Sequence, residues 1–427
     1  MNELFTVLPP ADAFAAFGRG CSRIGRTETV ALDAALGRVL AADVVAGETL
    51  PSFARSTMDG YAVRAADTHG ASEQSPAYLR LVDDVPTAVV PAVRVGLREA
   101  VRTHTGAMIP PGADAVVMVE DTNLHPSAAT GGAEVEVLDA AAVGENVLTV
   151  GEDVRIGAVA VPAGRRLRAA DLGGLAALGV TRVVVRARPR IAIVSTGDEI
   201  VAAGATPGPA QVRDVNGTTV AAVVTQAGGV AVSHGIVRDD AAELERVLRA
   251  ALGDADAVVL SAGSSVSVRD LTAHVVARLG SPGVLVHGIA IKPGKPTVLA
   301  ICDGTPVVGL PGNPASALVV AWRIVRPLVR LLAGEDVDAD PSTGSGQAMG
   351  DERETSAVLD VPLPSRPGRE DFVPCTLARD ANGALHATPV FGASNLIFTL
   401  IRADALIAVP LDRSGLAAGE TVRVVVP

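Results

Sequence analysis

From Pro189 to Gly334 the chain alternates apolar runs of strand length with longer segments whose apolar residues recur every three or four positions. Few folds accommodate that alternation. Strands are read at RIAIVST, VAVSHGIV, DAVVLS, VLVHGIAI, TVLAIC and PVVGL. Helices are read at TTVAAVVTQAG, AAELERVLRAALG, LTAHVVARLG and ASALVVAWRIVRPLVRLLAG. Apolar strands alternating with amphipathic helices predict an α/β domain with a mostly parallel sheet and helices on each side. Ligands of such sheets sit beyond the C-terminal strand ends, and the polar clusters that follow these strands become the candidates for chemistry.

The flanking segments obey other rules. Residues 51–147 hold short β-like runs (AVVPAVRV, DAVVMVE, EVEVL) between Gly/Pro-rich turns and read as a small inserted β domain. Residues 1–50 and 148–186 read as one discontinuous domain around it, with helices at Ala11 to Phe17, Val30 to Leu40 and AADLGGLAALG, and a strand at TRVVVRA. The α/β domain takes 187–334. DADPSTGSGQAMG (338–350) reads as a polar linker, and the segment to residue 427 (SAVLDVPL, DFVPCTL, DALIAVPL, TVRVVVP) as a C-terminal all-β domain.

Composition narrows the function. The 36 Lys and Arg against 47 Asp and Glu leave a net charge of −11, which argues against nucleic-acid and membrane-surface partners. Aromatics at 2% argue against stacking as the main means of gripping a ligand. The scattered Cys21, Cys302 and Cys375 form no CxxC pair, and Cys302 reads as a buried thiol. No charged leader precedes a long apolar stretch, so a cytoplasmic location is expected.

Several strings follow the strands. Gly263, Ser264 and Ser265 form a loop able to turn N–H groups toward an anion, and Asp270 beyond it can cap the next helix or help hold Mg²⁺. Glu199 follows RIAIVST and Asp239 follows HGIV. Glu199, Asp239 and Asp270 can converge on one sheet edge, where their repulsion calls for a cation; alternatively Asp240 caps its helix and the others are solvated. Lys292 and Lys295 flank a Pro-Gly turn that suits an oxyanion or reads as a surface hairpin, and the spacing is not that of a Walker loop. In LPGNPASA, Asn313 and Pro314 suit a helix start, while the preceding Pro311 and Gly312 bring backbone close to whatever lies there. Ser56 to Ala62 (STMDGYA) and Thr105 to Val117 (TGAMIPPGADAVV) read as polar turns feeding strands.

Together, SFARSTMDGYAV, TGAMIPPGADAVV, GENVLTVGEDV, IVSTGDEI, GIVRDD, the loop ending Arg269-Asp270, IKPGKP and GLPGNPASA resemble the molybdopterin molybdenumtransferases, the family that includes the E domain of gephyrin. The strings occur in the family's order over roughly residues 50–320. The resemblance implies a four-domain homodimer whose α/β domain resembles molybdopterin adenylyltransferase (MogA-like) and binds adenylylated molybdopterin. Mg²⁺ and molybdate then allow metal insertion with release of AMP.

By that resemblance Asp59, Thr105, Asp153, Glu199, Asp239, Asp270 and Lys292 form the functional polar set, and Pro311 and Pro314 shape the pterin pocket. Gly263, Ser264, Ser265, Lys295, Asn313 and Ser316 join them in holding the substrate. Glu199, Asp239 and Asp270 are assigned to Mg²⁺, and Asp59 and Thr105 to the molybdate side of a site completed across the dimer. The resemblance also implies a molybdopterin adenylyltransferase as a further partner to be tested.

The chain departs from the family pattern at Ala262-Gly263-Ser264-Ser265, at Arg269 and at Gly288, and its C-terminal region, with Ser394, matches loosely. A tungstate-using paralogue and a non-catalytic gephyrin-like scaffold are the alternatives. STMDGYA speaks against a lone adenylyltransferase or a nicotinamide-nucleotide amidohydrolase relative.

Overall fold

A computed structural model describes residues 7–126, 132–262, 266–335 and 353–426, with backbone alone over 266–270 and at 353. The linker expected at 338–350 lies outside the described residues. The chain divides into two compact units. One comprises Asp43–Pro162 with Ala170–Thr181, and the other the rest of the described chain.

In the larger unit the central sheet runs Val230–Val237, Arg190–Thr196, Ala257–Ser261, Thr305–Leu310, Val298–Cys302, Pro282–His287. The first four strands are parallel and the last two pairings antiparallel, so the sheet is mixed where a mostly parallel one was expected. The reason lies in Asp303-Gly304. A two-residue Asp-Gly link permits a hairpin, whereas a parallel return needs a crossover of about a dozen residues. Asp303 and Gly304 both take positive φ, 49° and 89°.

Alternation along the strands builds three layers. Ile191 and Ile193 face Val220, Val223 and Val224 of the helix Asn216–Gln226. Ala192 and Val194 face Leu244 and Leu248 of the helix Ala241–Asp254. Cys302 belongs to that second core, where burial pushes its thiol up to about 11. The expected long helix after Asn313 runs Pro314 to Leu332, but with a π turn at Ala321–Val325. Pro327 has no N–H to donate one turn back, and the ladder loosens just ahead of it.

The C-terminal strands Arg353–Leu359, Glu370–Arg379, Leu385–Pro389, Ala405–Val409 and Thr421–Val426 close into a barrel, since Glu370–Arg379 pairs with Leu385–Pro389 on one side and with Ala405–Val409 on the other. Ala405, Ile407 and Val409 point into the barrel. Leu406, Ala408 and Phe372 point out of it and join the α/β core. The barrel is therefore packed onto the α/β layers by its own alternation.

The smaller unit carries a six-stranded sheet in the order Ala115–Met118, Gly60–Val63, Glu99–Thr103, Ala77–Val85, Ala133–Val137, Thr122–Pro126. The β run expected at AVVPAVRV is not a strand: Pro91 removes a donor, and Ala88 sits at φ 64° in a turn. The pairing strands lie on either side of it. The helix expected from Val30 to Leu40 is replaced by a strand, Thr27–Ala31, paired with Arg182–Arg186, and a short 3₁₀ turn, Leu32–Ala34. There the partner strand outweighed a weak helical period.

Candidate functional site

The chain passes from Arg190–Thr196 outward to Val230–Val237, then back across to Ala257–Ser261. This reversal opens a crevice at the C-terminal strand ends. A cavity of about 680 Å³ occupies it, with Ser195, Glu199, Asp214, Asn216 and Ser261 in its wall. Asp214 accepts from Ser195 Oγ at 2.7 Å and from Gly217 N–H at 2.8 Å, fixing the start of the helix Asn216–Gln226. Asn216 Nδ2 donates to Ser261 Oγ at 2.7 Å and to the Gly312 carbonyl at 2.8 Å, so it bridges two strand ends. Its Oδ1 and the Thr196 hydroxyl are buried without a partner among the described residues. Buried polar atoms seldom stay so, and both belong to the cavity wall.

Beside this crevice, the Asp239 N–H approaches Asp198 Oδ1 at 3.5 Å. Burial raises the Asp239 carboxyl above its usual range; a hydrogen bond from the Asp198 backbone opposes that, and the like charges of Asp198 and Glu199 add to it. Asp239 Oδ1 is buried and unpartnered among the described residues. Asp240 instead caps the helix Ala241–Asp254, accepting from Glu243 N–H at 2.8 Å.

Gly263, Ser264 and Ser265 lie outside the described residues. Asp270 is the fifth residue of the helix Val266–Val276, beyond the capping positions, and its side chain lies outside the described set. Among the described residues no three His, Cys, Asp or Glu side chains are gathered as a metal site.

A second cavity, of about 1100 Å³, opens between the α/β layers and the barrel. Lys292, Lys295, Pro311, Asn313 and Ser316 all line it, while Pro314 lines the crevice instead. Gly312 and Asn313 belong to both walls. The short strand Ile291–Lys292 adds in parallel to Glu370–Asp371, setting Lys292 opposite Asp371. Lys292 Nζ stands 3.7 Å from Asp371 Oδ2. Gly294 takes φ 128°, and a Cβ there would lie 2.4 Å from Val320 Cγ2, so the turn that spaces the two lysines requires glycine. Asn313 makes no side-chain cap; its Nδ2 donates to Ser394 Oγ at 3.0 Å.

In the smaller unit the two odd strings interlock. Ser56 N–H donates to the Ala107 carbonyl at 2.9 Å and Gly106 N–H to the Ser56 carbonyl at 2.8 Å. Asp59 then accepts from Thr105 N–H at 2.7 Å and Thr105 Oγ1 at 3.1 Å. These bonds hold the Asp59 carboxyl below its usual range, the backbone N–H having the larger effect. Gly60 is required beside it, because a Cβ would lie 2.0 Å from the Val117 carbonyl oxygen. Asp153 donates its backbone N–H to the Leu50 carbonyl at 3.1 Å.

Asp214, Asn216, Arg369 and Asp371 escaped the sequence reading. The string Asp214-Val215-Asn216-Gly217 is a helix-start signal that also follows a strand, and could have been weighed as a site. Asp371 carries no such signal, since only the strand pairing brings it to Lys292.

These geometries define an α/β protein with a docked barrel and an inserted β sheet, and comparison with known proteins gives it a family. The MoeA N-terminal region (domain I and II) matches residues 8–179, a probable molybdopterin binding domain matches 192–331, and the MoeA C-terminal region (domain IV) matches 356–426. Molybdopterin molybdenumtransferase 2 of Mycobacterium tuberculosis is 35% identical over 94% of this chain and 95% of its own. Molybdopterin molybdenumtransferase of Haemophilus influenzae is 32% identical over 93% of each. The MoeA protein of Pyrococcus horikoshii OT3 superposes with a TM-score of 0.79 at 27% identity, covering 99% of this chain and 100% of that one. The chain belongs to the molybdopterin molybdenumtransferase family. No helix among the described residues is long and apolar enough to cross a membrane.

Proposed function

We propose that this chain inserts molybdenum from molybdate into adenylylated molybdopterin, with Mg²⁺, releasing AMP. The observation that carries the reading is the shared Gly312–Asn313 wall between a polar crevice and a cavity bearing two lysines. A substrate with a polar heterocycle, a phosphoanhydride and a metal-accepting end needs both kinds of surface close together. The crevice offers to the nucleotide-pterin polar atoms of Thr196 and Asn216 that have no partner among the described residues. Lys292 and Lys295 offer positive charge to oxyanions, with Ser316, Asn313 and Pro311 completing that wall.

The fit to Mg²⁺ rests on Asp239. A buried carboxylate oxygen that has no partner among the described residues and stands beside the like charges of Asp198 and Glu199 is a hard-oxygen donor suited to a cation. Asp239, Glu199 and Asp270 would hold the ion, which when bound neutralises charge on the phosphoanhydride. The residues of the chain orient the pterin, draw in molybdate and hold it near the dithiolene; effective concentration supplies much of the acceleration. Asp59, kept ionised by Thr105, and Thr105 itself are assigned to the molybdate side. A homodimer and the domain division 1–50 with 148–186, 51–147, 187–334 and 338–427 belong to the same proposal.

The test is a reconstitution with adenylylated molybdopterin, Mg²⁺ and molybdate, following AMP release and activation of an apo-molybdoenzyme. Molybdate-dependent AMP release that is lost in Asp239→Ala and Asp59→Ala supports the reading. AMP release driven by tungstate in preference to molybdate would move it to the tungstate paralogue. Pterin binding without AMP release under any oxyanion would leave a scaffold.

A further inference from the structure

We infer that Asp371 is a positioning residue for the oxyanion cavity, its buried carboxylate holding Lys292 and Arg369 together as one cation pair. The inference rests on the insertion reading above. Asp371 is 2% exposed, and both of its oxygens are engaged. Oδ1 accepts from Arg369 Nε at 2.8 Å; Oδ2 accepts from Ser365 Oγ at 2.9 Å and Arg369 Nη2 at 3.3 Å, and stands 3.7 Å from Lys292 Nζ.

The carboxylate's place is over-determined. Its backbone is paired on one side with Lys292 and on the other with Val409, and Glu370 N–H donates to the Ala290 carbonyl at 2.8 Å. The adjoining Phe372 is buried in the α/β core with Arg323 5.0 Å above its ring.

The two cations are less constrained. The Lys292 side chain is 59% exposed and that of Arg369 32%. Without an anion between them they repel, and long charged side chains turn to water. With Asp371 in place, two positive charges and one negative leave a net positive wall, to which Lys295 on the same cavity adds. A carboxylate beside an oxyanion site would ordinarily repel its ligand. Here its oxygens are consumed by donors, and it acts through the groups it orients.

The experiment is calorimetric titration of the full chain with sodium molybdate alone, alongside AMP-release kinetics, for wild type, Asp371→Asn, Asp371→Glu and Ser365→Ala. Asp371→Asn is expected to weaken molybdate binding and raise its KM by about tenfold, with kcat changed less than about twofold, as for loss of a charge-assisted contact. Asp371→Glu is expected to recover some of that loss. Wild-type affinity in Asp371→Asn would overturn the inference.

If Asp371→Asn does not fold, Ser365→Ala decides, because it removes one donor from the same carboxylate. A KM raised about two- to threefold supports positioning, and an unchanged KM and affinity overturn it. Wild-type chain that binds molybdate but releases no AMP would sink the insertion reading while Asp371 is still judged by binding. Wild-type chain that binds no molybdate would overturn both.

Discussion

Asn313 and Ser394 are 81 residues apart, yet Asn313 Nδ2 donates to Ser394 Oγ at 3.0 Å. Ala315 N–H donates to the Ser394 carbonyl, also at 3.0 Å, so the start of the long helix is latched to the barrel segment. The latch stands where the two cavities share a wall. Asn313→Ala is expected to cost about 1 kcal/mol of stability, the net worth of one such bond. It should also raise KM for both molybdate and the pterin nucleotide, because both walls move. Steady-state AMP release with each substrate varied in turn checks this, and a change in one KM alone would refute the shared wall.

Gly60 and Gly70 differ in what surrounds them. A Cβ at Gly60 would lie 2.0 Å from the Val117 carbonyl oxygen, whereas Gly70, at φ 78°, has nothing within 4 Å. Gly60→Ala must therefore push the strand Gly60–Val63 away from its neighbour Ala115–Met118. Gly70→Ala bears only the cost of a left-handed alanine, about 1–2 kcal/mol. Urea denaturation should find Gly60→Ala the more destabilised by several-fold. The same displacement should break the hydrogen bonds from Thr105 to Asp59.

The α/β layers were legible because their information is local. Most of the strands are largely apolar, and each helix shows its period within a dozen residues. Candidate residues on the turns after those strands were legible for the same reason: Glu199, Asp239, Lys292 and Asn313 all stand beside strand ends. What was hidden depends on pairing. The direction of Val298–Cys302 follows from a two-residue hairpin, and Asp371 reaches Lys292 through a strand pairing 79 residues away in sequence (371 − 292). Asn313 looked like a cap because Asn before Pro is a helix start; the hydroxyl of Ser394 competes for it.

Thr105 contributes two donors to Asp59, and they are separable. Thr105→Val removes the hydroxyl but keeps the N–H, which is the larger influence on the carboxyl. The Asp59 carboxyl then stays below its usual range, and the acid limb of the kcat profile should shift upward only slightly. Asp59→Asn keeps the shape and removes the charge, and AMP release should fall by about 10²-fold or more if that charge acts in the reaction. The pH–rate profile of Thr105→Val, set against the rate of Asp59→Asn, separates charge from hydroxyl.

His386, which lines neither the crevice nor the lysine-bearing cavity, gives the chain a second pH-dependent contact. Its Nδ1 lies 2.7 Å from Asp360 Oδ1, and Nε2 lies 3.7 Å from Asp380 Oδ2. The hydrogen bond to Asp360 raises His386 above its usual 6.5, and Thr388 and His386 lower Asp360 below its usual 3.8. A raised imidazolium stabilises the fold fully below pH 6.5 and loses that contribution as pH climbs through the raised value. A depressed carboxyl stabilises above pH 3.8 and loses its contribution as pH falls through the depressed value. The pair is therefore expected to contribute most between those limits. Melting temperatures of wild type and His386→Gln, measured from about pH 4 to 9 so as to span the imidazole titration, should differ most in the acidic half. The curves should converge above neutrality. A gap of constant size across that range would mean that packing, and not the imidazolium charge, is what His386 supplies.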